Sequence, residues 1–192
     1  MYIEPNISGE KRGYLEVICG SMFSGKTEEL IRRLKRVEIA HLRMKVFKPK
    51  PDTRFHHENI VSHDERALSS IPVAQSNEIL QLSAGADVIG IDEAQFLDLQ
   101  LPEVCDKLAL SGLRVIVAGL DMDYSGKPFG PMPYLLAKAD FITKLHAICV
   151  VCGNLAHYSY RKETGGDQFM LGAKNLYEPR CRVCFYKEYQ PS

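Results

Sequence analysis

The chain has 192 residues, with 24 Lys or Arg against 24 Asp or Glu, so no net field draws it to nucleic acid or an anionic membrane. That length fits one ordinary domain with a small appendage and is long enough for a substantial core. The most apolar window, Leu108 to Leu120, is broken by Ser111 and Arg114 and is too short to span a bilayer, and residues 1–12 carry no apolar run of signal-peptide length.

A cytoplasmic protein is therefore expected, and residues 1–13 read as an N-terminal tail. Tyr14 to Cys19 is a short apolar run with β-branched residues, as a strand buried in a parallel sheet requires. Next comes Gly20-Ser21-Met22-Phe23-Ser24-Gly25-Lys26-Thr27, which has the G-x-x-x-x-G-K-[ST] spacing of a phosphate-binding loop. Glycines at both ends let successive N–H groups turn inward onto phosphate oxygens, and a following helix N-terminus adds partial positive charge there. Lys26 is placed to reach the outer phosphates, and the Thr27 hydroxyl to help hold magnesium. In the predicted helix, Leu30, Ile31, Leu34 and Val37 recur at helical spacing, with Glu28 and Glu29 in the first turn. Arg32, Arg33, Lys35 and Arg36 read as a solvated basic face.

Met44 to Phe47 is a second predicted strand, ended by Lys48-Pro49-Lys50-Pro51. The polar stretch after it contains His56, His57 and His63, whose spacing matches no metal-ligand frame and which read as surface or hydrogen-bonding residues. Ile71 to Ala74 is predicted as a short strand and Asn77 to Leu82 as a short helix. Val88-Ile-Gly-Ile91 is an apolar strand ending at Asp92-Glu93, the Walker B arrangement that accompanies a phosphate loop. Asp92 is placed to hold magnesium; Glu93 is placed beside the γ-phosphate, able to take a proton from a hydroxyl or orient a water. Leu101 to Leu110 is a predicted helix, Arg114 to Leu120 a buried strand, Asp121 to Gly130 a polar loop, and Pro133 to Ala139 a short helix. In open α/β sheets ligands sit beyond the carboxyl ends of the strands, so the phosphate loop, Asp92-Glu93 and the loop after Leu120 converge on one edge. Cys19 and Cys105, each in apolar surroundings, read as small core residues.

From Phe141 onward the texture changes. Cys149-Val-Val-Cys152 and Cys181-Arg-Val-Cys184 are separated by 28 residues rich in Tyr, Gly, Lys and Arg, with little periodicity. Redox use of a C-x-x-C is the alternative, but two pairs in one small segment favour a closed four-thiolate zinc site. Such a site leaves no position for water and is structural: it pins both ends of a long loop, which then reads as a lid. The expected division is an α/β nucleotide-binding domain over 14–145, a zinc-anchored lid over 146–187 and a tail over 188–192.

Taken in order between about Tyr14 and Phe185, Gly20 to Thr27, Ile91-Asp-Glu-Ala-Gln-Phe96, Gly119-Leu-Asp-Met-Asp-Tyr124, Lys127-Pro-Phe-Gly130 and the two C-x-x-C pairs resemble type II thymidine kinases. This is the cytosolic family shared by many bacteria and animals. The resemblance implies ATP-dependent transfer of phosphate to the 5′-hydroxyl of thymidine, giving thymidine monophosphate in nucleotide salvage. It implies a RecA-like α/β domain with a mainly parallel sheet plus a small C-terminal zinc-binding lasso. By motif position, Glu93 corresponds to the catalytic base, and Thr27 and Asp92 to the magnesium residues. The loop Gly20 to Thr27, Arg54, and Asp92, Glu93, Ala94 and Gln95 correspond to the nucleotide site. Met22, Phe96, Leu120, Phe129 and Tyr177 correspond to residues around the thymine base, with about Phe169 to Tyr177 as the lasso segment that closes over it. Also implied are a homotetramer and inhibition by thymidine triphosphate, with no nucleic-acid or membrane partner. Two departures stand out: Tyr124 and Ser125 replace a more usual Phe and basic residue, and His63-Asp64-Glu65-Arg66 lacks a glycine; both are expected to affect surface and loop details only. A nucleic-acid motor, suggested by Asp-Glu-Ala-Gln, would need a second RecA-like domain or a basic, aromatic-laced track. A zinc-ribbon module with a vestigial nucleotide site is opposed by the intact Lys26, Thr27, Asp92 and Glu93.

Overall fold

A computed structural model describes residues 12–50, 69–162 and 176–188. Arg54, His56, His57, the His63 segment and most of the Phe169–Tyr177 stretch lie outside the described residues. Strands β1 (Tyr14–Gly20), β2 (Met44–Pro49), β3 (Ile71–Val73), β4 (Val88–Ile91), β5 (Arg114–Gly119) and β6 (Phe141–Leu145) form one sheet in the order β3-β2-β4-β5-β1-β6. Every pairing in it is parallel. The continuous apolar runs of β1, β4 and β5 explain this, because a parallel sheet is covered on both faces and needs no polar alternation.

Helix α1 (Lys26–Ile39) covers one face: Leu30, Leu34 and Val37 pack on Ile18, Val88, Ile116 and Ala118. On the other face lie α2 (Ser76–Leu82), α3 (Leu101–Leu110) and α4 (Met132–Lys138), whose Ile79, Val104, Leu108, Met132 and Leu135 pack on Val17, Ile89, Ile91, Val115 and Val117. Cys19 and Cys105 are buried in this second core, as expected. Burial of some twenty such side chains, each worth about 1.5–3 kcal/mol, holds the layers together.

One expectation for α1 is corrected. Arg33 does not join a solvated basic face; it is 2% exposed. Its guanidinium donates to Glu16 at 2.5 Å, Glu29 at 2.9 Å and Thr143 at 2.8 Å, and Arg114 donates to the same Glu16 at 2.6 Å. The buried stripe of α1 is thus Leu30, Arg33, Leu34 and Val37, with the cation neutralised by a carboxylate from the middle of β1. Strand β2 also runs through Pro49 instead of ending before it. There β3 alone pairs with it, and Lys50 N–H continues the ladder to Val73 at 2.8 Å.

After β6 the chain forms two antiparallel pairs: β7 (Ala147–Ile148) with β8 (Leu155–Ala156), and β9 (Tyr158–Arg161) with β10 (Tyr177–Arg180). Helix α5 (Arg182–Glu188) follows. This region has a small cluster of its own, Ala147, Cys149, Ala156, Cys181 and Cys184, and Tyr158 stacks on Phe185 with ring centroids 4.4 Å apart. Among the described residues no helix is long and apolar enough to cross a membrane.

Candidate active site

Strands β1, β4 and β5 lie side by side and parallel, so their carboxyl ends deliver the loop Gly20–Thr27, the Asp92-Glu93 pair and Leu120 to one edge. The three elements that the sequence assigned to that edge are brought together there. The loop's tight path requires glycine where it leaves the sheet: Gly20 has φ +145°, and a Cβ on it would lie 2.3 Å from the Leu145 carbonyl oxygen. Gly25, at φ 84°, precedes α1, leaving the first N–H groups of that helix directed into the loop.

Lys26 Nζ donates to the Ser21 carbonyl at 2.8 Å, across the mouth of the loop. Burial lowers the lysine's pKa, opposed by the charges of the Glu93 and Asp92 carboxylates. The Thr27 hydroxyl donates to Asp92 at 3.1 Å, joining the first turn of α1 to the end of β4. Burial, then the Glu93 charge, pushes Asp92 up to about 6, against the Glu93 N–H and the Thr27 hydroxyl that donate to it. An oxygen-rich pair beside a crowded carboxylate is a donor set that suits magnesium, whose charge would relieve that crowding.

Glu93 sits in the left-handed region at φ 52°, and its N–H donates to Asp92 Oδ1 at 2.9 Å. Its side chain accepts from Gln95, which is bonded in turn to the start of the loop after β5. The Gln95 side chain donates from Nε2 to Glu93 Oε2 at 2.5 Å, and its Oε1 accepts the Leu120 N–H at 2.9 Å. The amide of Gln95 therefore turns into the protein, onto Glu93 and Leu120.

Beside this edge a cavity is lined by Met22, Leu120, Met122, Tyr124, Phe129, Ser159 and Tyr177. Four of the five residues that the resemblance placed around the base line it. Phe96 does not; it stands behind, edge-on against Phe129 with centroids 5.5 Å apart. Tyr124 corrects an expectation: it is a cavity wall, not a loop detail, and Arg161 lies over its ring at 3.8 Å from the centroid. Ser159 was missed altogether. Its hydroxyl accepts the Met22 N–H at 3.0 Å, tying β9 to the phosphate loop. No local signal marks it, because it lies in the aperiodic C-terminal segment.

The sulfurs of Cys149, Cys152, Cys181 and Cys184 lie within 4.8 Å of one another, with Cys152 and Cys181 at 3.6 Å. A tetrahedron with ~2.3 Å zinc–sulfur bonds has edges of ~3.8 Å, whereas a disulfide would hold two sulfurs at ~2.0 Å. The Cys184 N–H and the Asn154 amide donate to these sulfurs at 3.5 and 3.4 Å, as thiolates require. A closed set of four fits structural zinc.

The family model for thymidine kinase matches residues 13–185. A thymidine kinase of Rhodothermus sp. is 56% identical over 187 residues, covering 96% of this chain and 88% of that protein. The thymidine kinase of Porphyromonas gingivalis is 56% identical over 94% of this chain and 89% of its own length. That of Bacteroides fragilis is 54% identical over 94% and 90%. With the motif residues gathered at one sheet edge and a match that spans nearly the whole sequence, the chain belongs to the thymidine kinase family.

Proposed function

We propose that the chain transfers the γ-phosphate of ATP to the 5′-hydroxyl of thymidine, with Glu93 as general base and the zinc-anchored C-terminal segment as a lid over the acceptor. The observation that carries this reading is the position of Glu93. It lies between the Thr27–Asp92 pair on one side and, through Gln95, the cavity wall at Leu120 on the other. The cavity is walled by Met22 of the phosphate loop and by Leu120, so a hydroxyl held there is proposed to lie between that loop and the Glu93 carboxylate.

The phosphates would lie on the N–H groups of residues 20–27, with Lys26 released from the Ser21 carbonyl onto the outer oxygens. Magnesium, held by Thr27 and Asp92, would supply charge neutralisation on the phosphates. Glu93 accepts the proton of the 5′-hydroxyl as its oxygen bonds to the γ-phosphorus; the bond to the bridging oxygen breaks and ADP departs. Arg54, outside the described residues, is proposed to add positive charge near the phosphates. Met22, Leu120, Phe129 and Tyr177 are proposed to hold the base, with Tyr124 and Ser159 added from the cavity's lining. Water is excluded by residues 146–187 closing over the cavity, which limits hydrolysis of ATP. A homotetramer, feedback inhibition by thymidine triphosphate and a cytoplasmic location are proposed on the family resemblance.

The test is turnover of ATP with thymidine by Glu93→Gln. ATP binding is retained, while kcat falls at least about a hundredfold, the lower range for a positioned base. Near-normal turnover removes Glu93 from that role, and stimulation by single-stranded nucleic acid without a phosphorylated nucleoside overturns the kinase reading.

A further inference from the structure

We infer that Gln95 is a positioning residue: its amide ties the Glu93 carboxylate to the backbone of the cavity wall at Leu120, so the wall that receives the acceptor also aims the base. The inference rests on the proposed role of Glu93.

The geometry leaves the amide one orientation. A backbone N–H can only donate and an ionised carboxylate can only accept, so Oε1 must face Leu120 and Nε2 must face Glu93. Gln95 is 2% exposed; its bond from Leu120 is buried and its bond to Glu93 half-buried. Its niche is built by two glycines. A Cβ on Gly119 would lie 2.9 Å from Gln95 Oε1 and 2.7 Å from Met132 Sδ. One on Gly130 would lie 2.3 Å from the Gln95 carbonyl oxygen. Gln95 is therefore closely packed at its backbone and at its amide oxygen, and the amide grips a Glu93 that stands on an exposed left-handed turn.

Only glutamine fits this role. Glutamate would set a second carboxylate against Glu93, methionine would fill the space with neither donor nor acceptor, and asparagine falls one methylene short. Leu120, whose N–H is the far anchor, lines the cavity itself. A base held from the acceptor's own wall keeps its aim when that wall shifts on filling. A displacement of about 1 Å in such a group costs on the order of a hundredfold in rate.

The experiment is steady-state kinetics on Gln95→Met, Gln95→Glu, Glu93→Gln and the double variant Glu93→Gln/Gln95→Met, with ATP and thymidine. Gln95→Met is expected to lower kcat by about 10- to 100-fold, with the KM for ATP within about twofold. Gln95→Glu, which keeps the volume and the bond from Leu120, is expected to be at least as slow, and stands in if the methionine variant fails to fold. In the Glu93→Gln background, Gln95→Met should cost no further rate, because its effect runs through the base it aims. A kcat within about twofold of the parent for both Gln95 variants overturns the inference, as does an equal loss with and without Glu93, or a rise confined to the KM for ATP. Near-normal rates for Glu93→Gln would instead overturn the role of Glu93, a distinct result.

Discussion

Asp92 is held ionised at a cost in the ligand-free protein. Its pKa is raised from 3.8 to about 6, chiefly by burial and next by the Glu93 charge. The folded state therefore keeps a proton that the unfolded chain releases, so this group's contribution to stability falls as pH rises from about 4 through about 6. A rise of that size corresponds to roughly 3 kcal/mol. Asp92→Asn is expected to raise the stability of the ligand-free protein by about 1–3 kcal/mol at pH 7.5, with the gain gone near pH 4. Urea unfolding at both pH values measures it, and an equal gain at both would show that charge is not the cause. On the proposal that Asp92 holds magnesium, the same variant is expected to lose magnesium-dependent turnover, stability being traded for the cation. Lys26, Thr27, Asp92 and Glu93 were legible in the sequence because their chemistry depends on local spacing along a strand, a turn and a helix start. Ser159 and Tyr124 were not, since what places them on the cavity is the packing of β9 and of the loop after β5. Gln95 was legible only as a member of its motif; its bonds to Glu93 and from Leu120, 25 residues on, were not.

At the scale of single elements, α1 is attached to the sheet by a buried ionic cluster beside its apolar stripe. Glu16, 0% exposed in the middle of β1, accepts from Arg33 of α1 and from Arg114 of β5, while Arg33 reaches across to Thr143 of β6. Removing one member of a buried pair strands the other charge without full compensation, which costs about 3–5 kcal/mol. Arg33→Met is expected at the lower end of that range, because Arg114 remains on Glu16. Arg32, half exposed and paired at the surface with Glu29, is the comparison: Arg32→Met should shift stability by less than about 1 kcal/mol. Guanidinium unfolding with unchanged m-values decides between them, and equal effects would mean the buried pair carries no special weight. Helix periodicity alone missed this because Arg33 occupies the i+3 position of the Leu30 stripe, and its acidic partner lies 17 residues upstream on a strand. Strands β1, β4 and β5 were legible as continuous apolar runs, β4 to its observed ends, but β6 and the short C-terminal strands were not. The start of α2 at Ser76 depends on a Gln75–Glu78 capping box, in which glutamine stands where Ser, Thr or Asp usually does.

Across the whole molecule, the C-terminal region reaches the cavity proposed for the acceptor through a chain of contacts that begins at the cysteines. Cys149 and Cys152 precede β8 and β9, and Cys181 and Cys184 follow β10, so a metal that joins them fixes how β9 pairs with β10. That pair carries Ser159 and Tyr177 to the cavity, and the Ser159 hydroxyl and Ala156 carbonyl accept from Met22 and Ser21 of the phosphate loop. Lys26, Thr27 and Asp92 are held by β1, β4 and α1, which keep a packed core of their own when the metal is absent. Removing zinc with a chelator, or changing Cys181 and Cys184 to Ser, should therefore raise the KM for thymidine by about tenfold or more, a loss of about 1.4 kcal/mol in acceptor binding. The KM for ATP should move by no more than about two- to threefold. The sequence showed the four cysteines but not this asymmetry, which depends on β9 and β10 carrying Ser159 and Tyr177 to the cavity. Metal analysis of the purified protein, read beside both KM values, checks the claim. Equal rises in the two KM values would show that the cysteines support the fold at large, and absence of bound zinc would end the account of a metal-anchored lid.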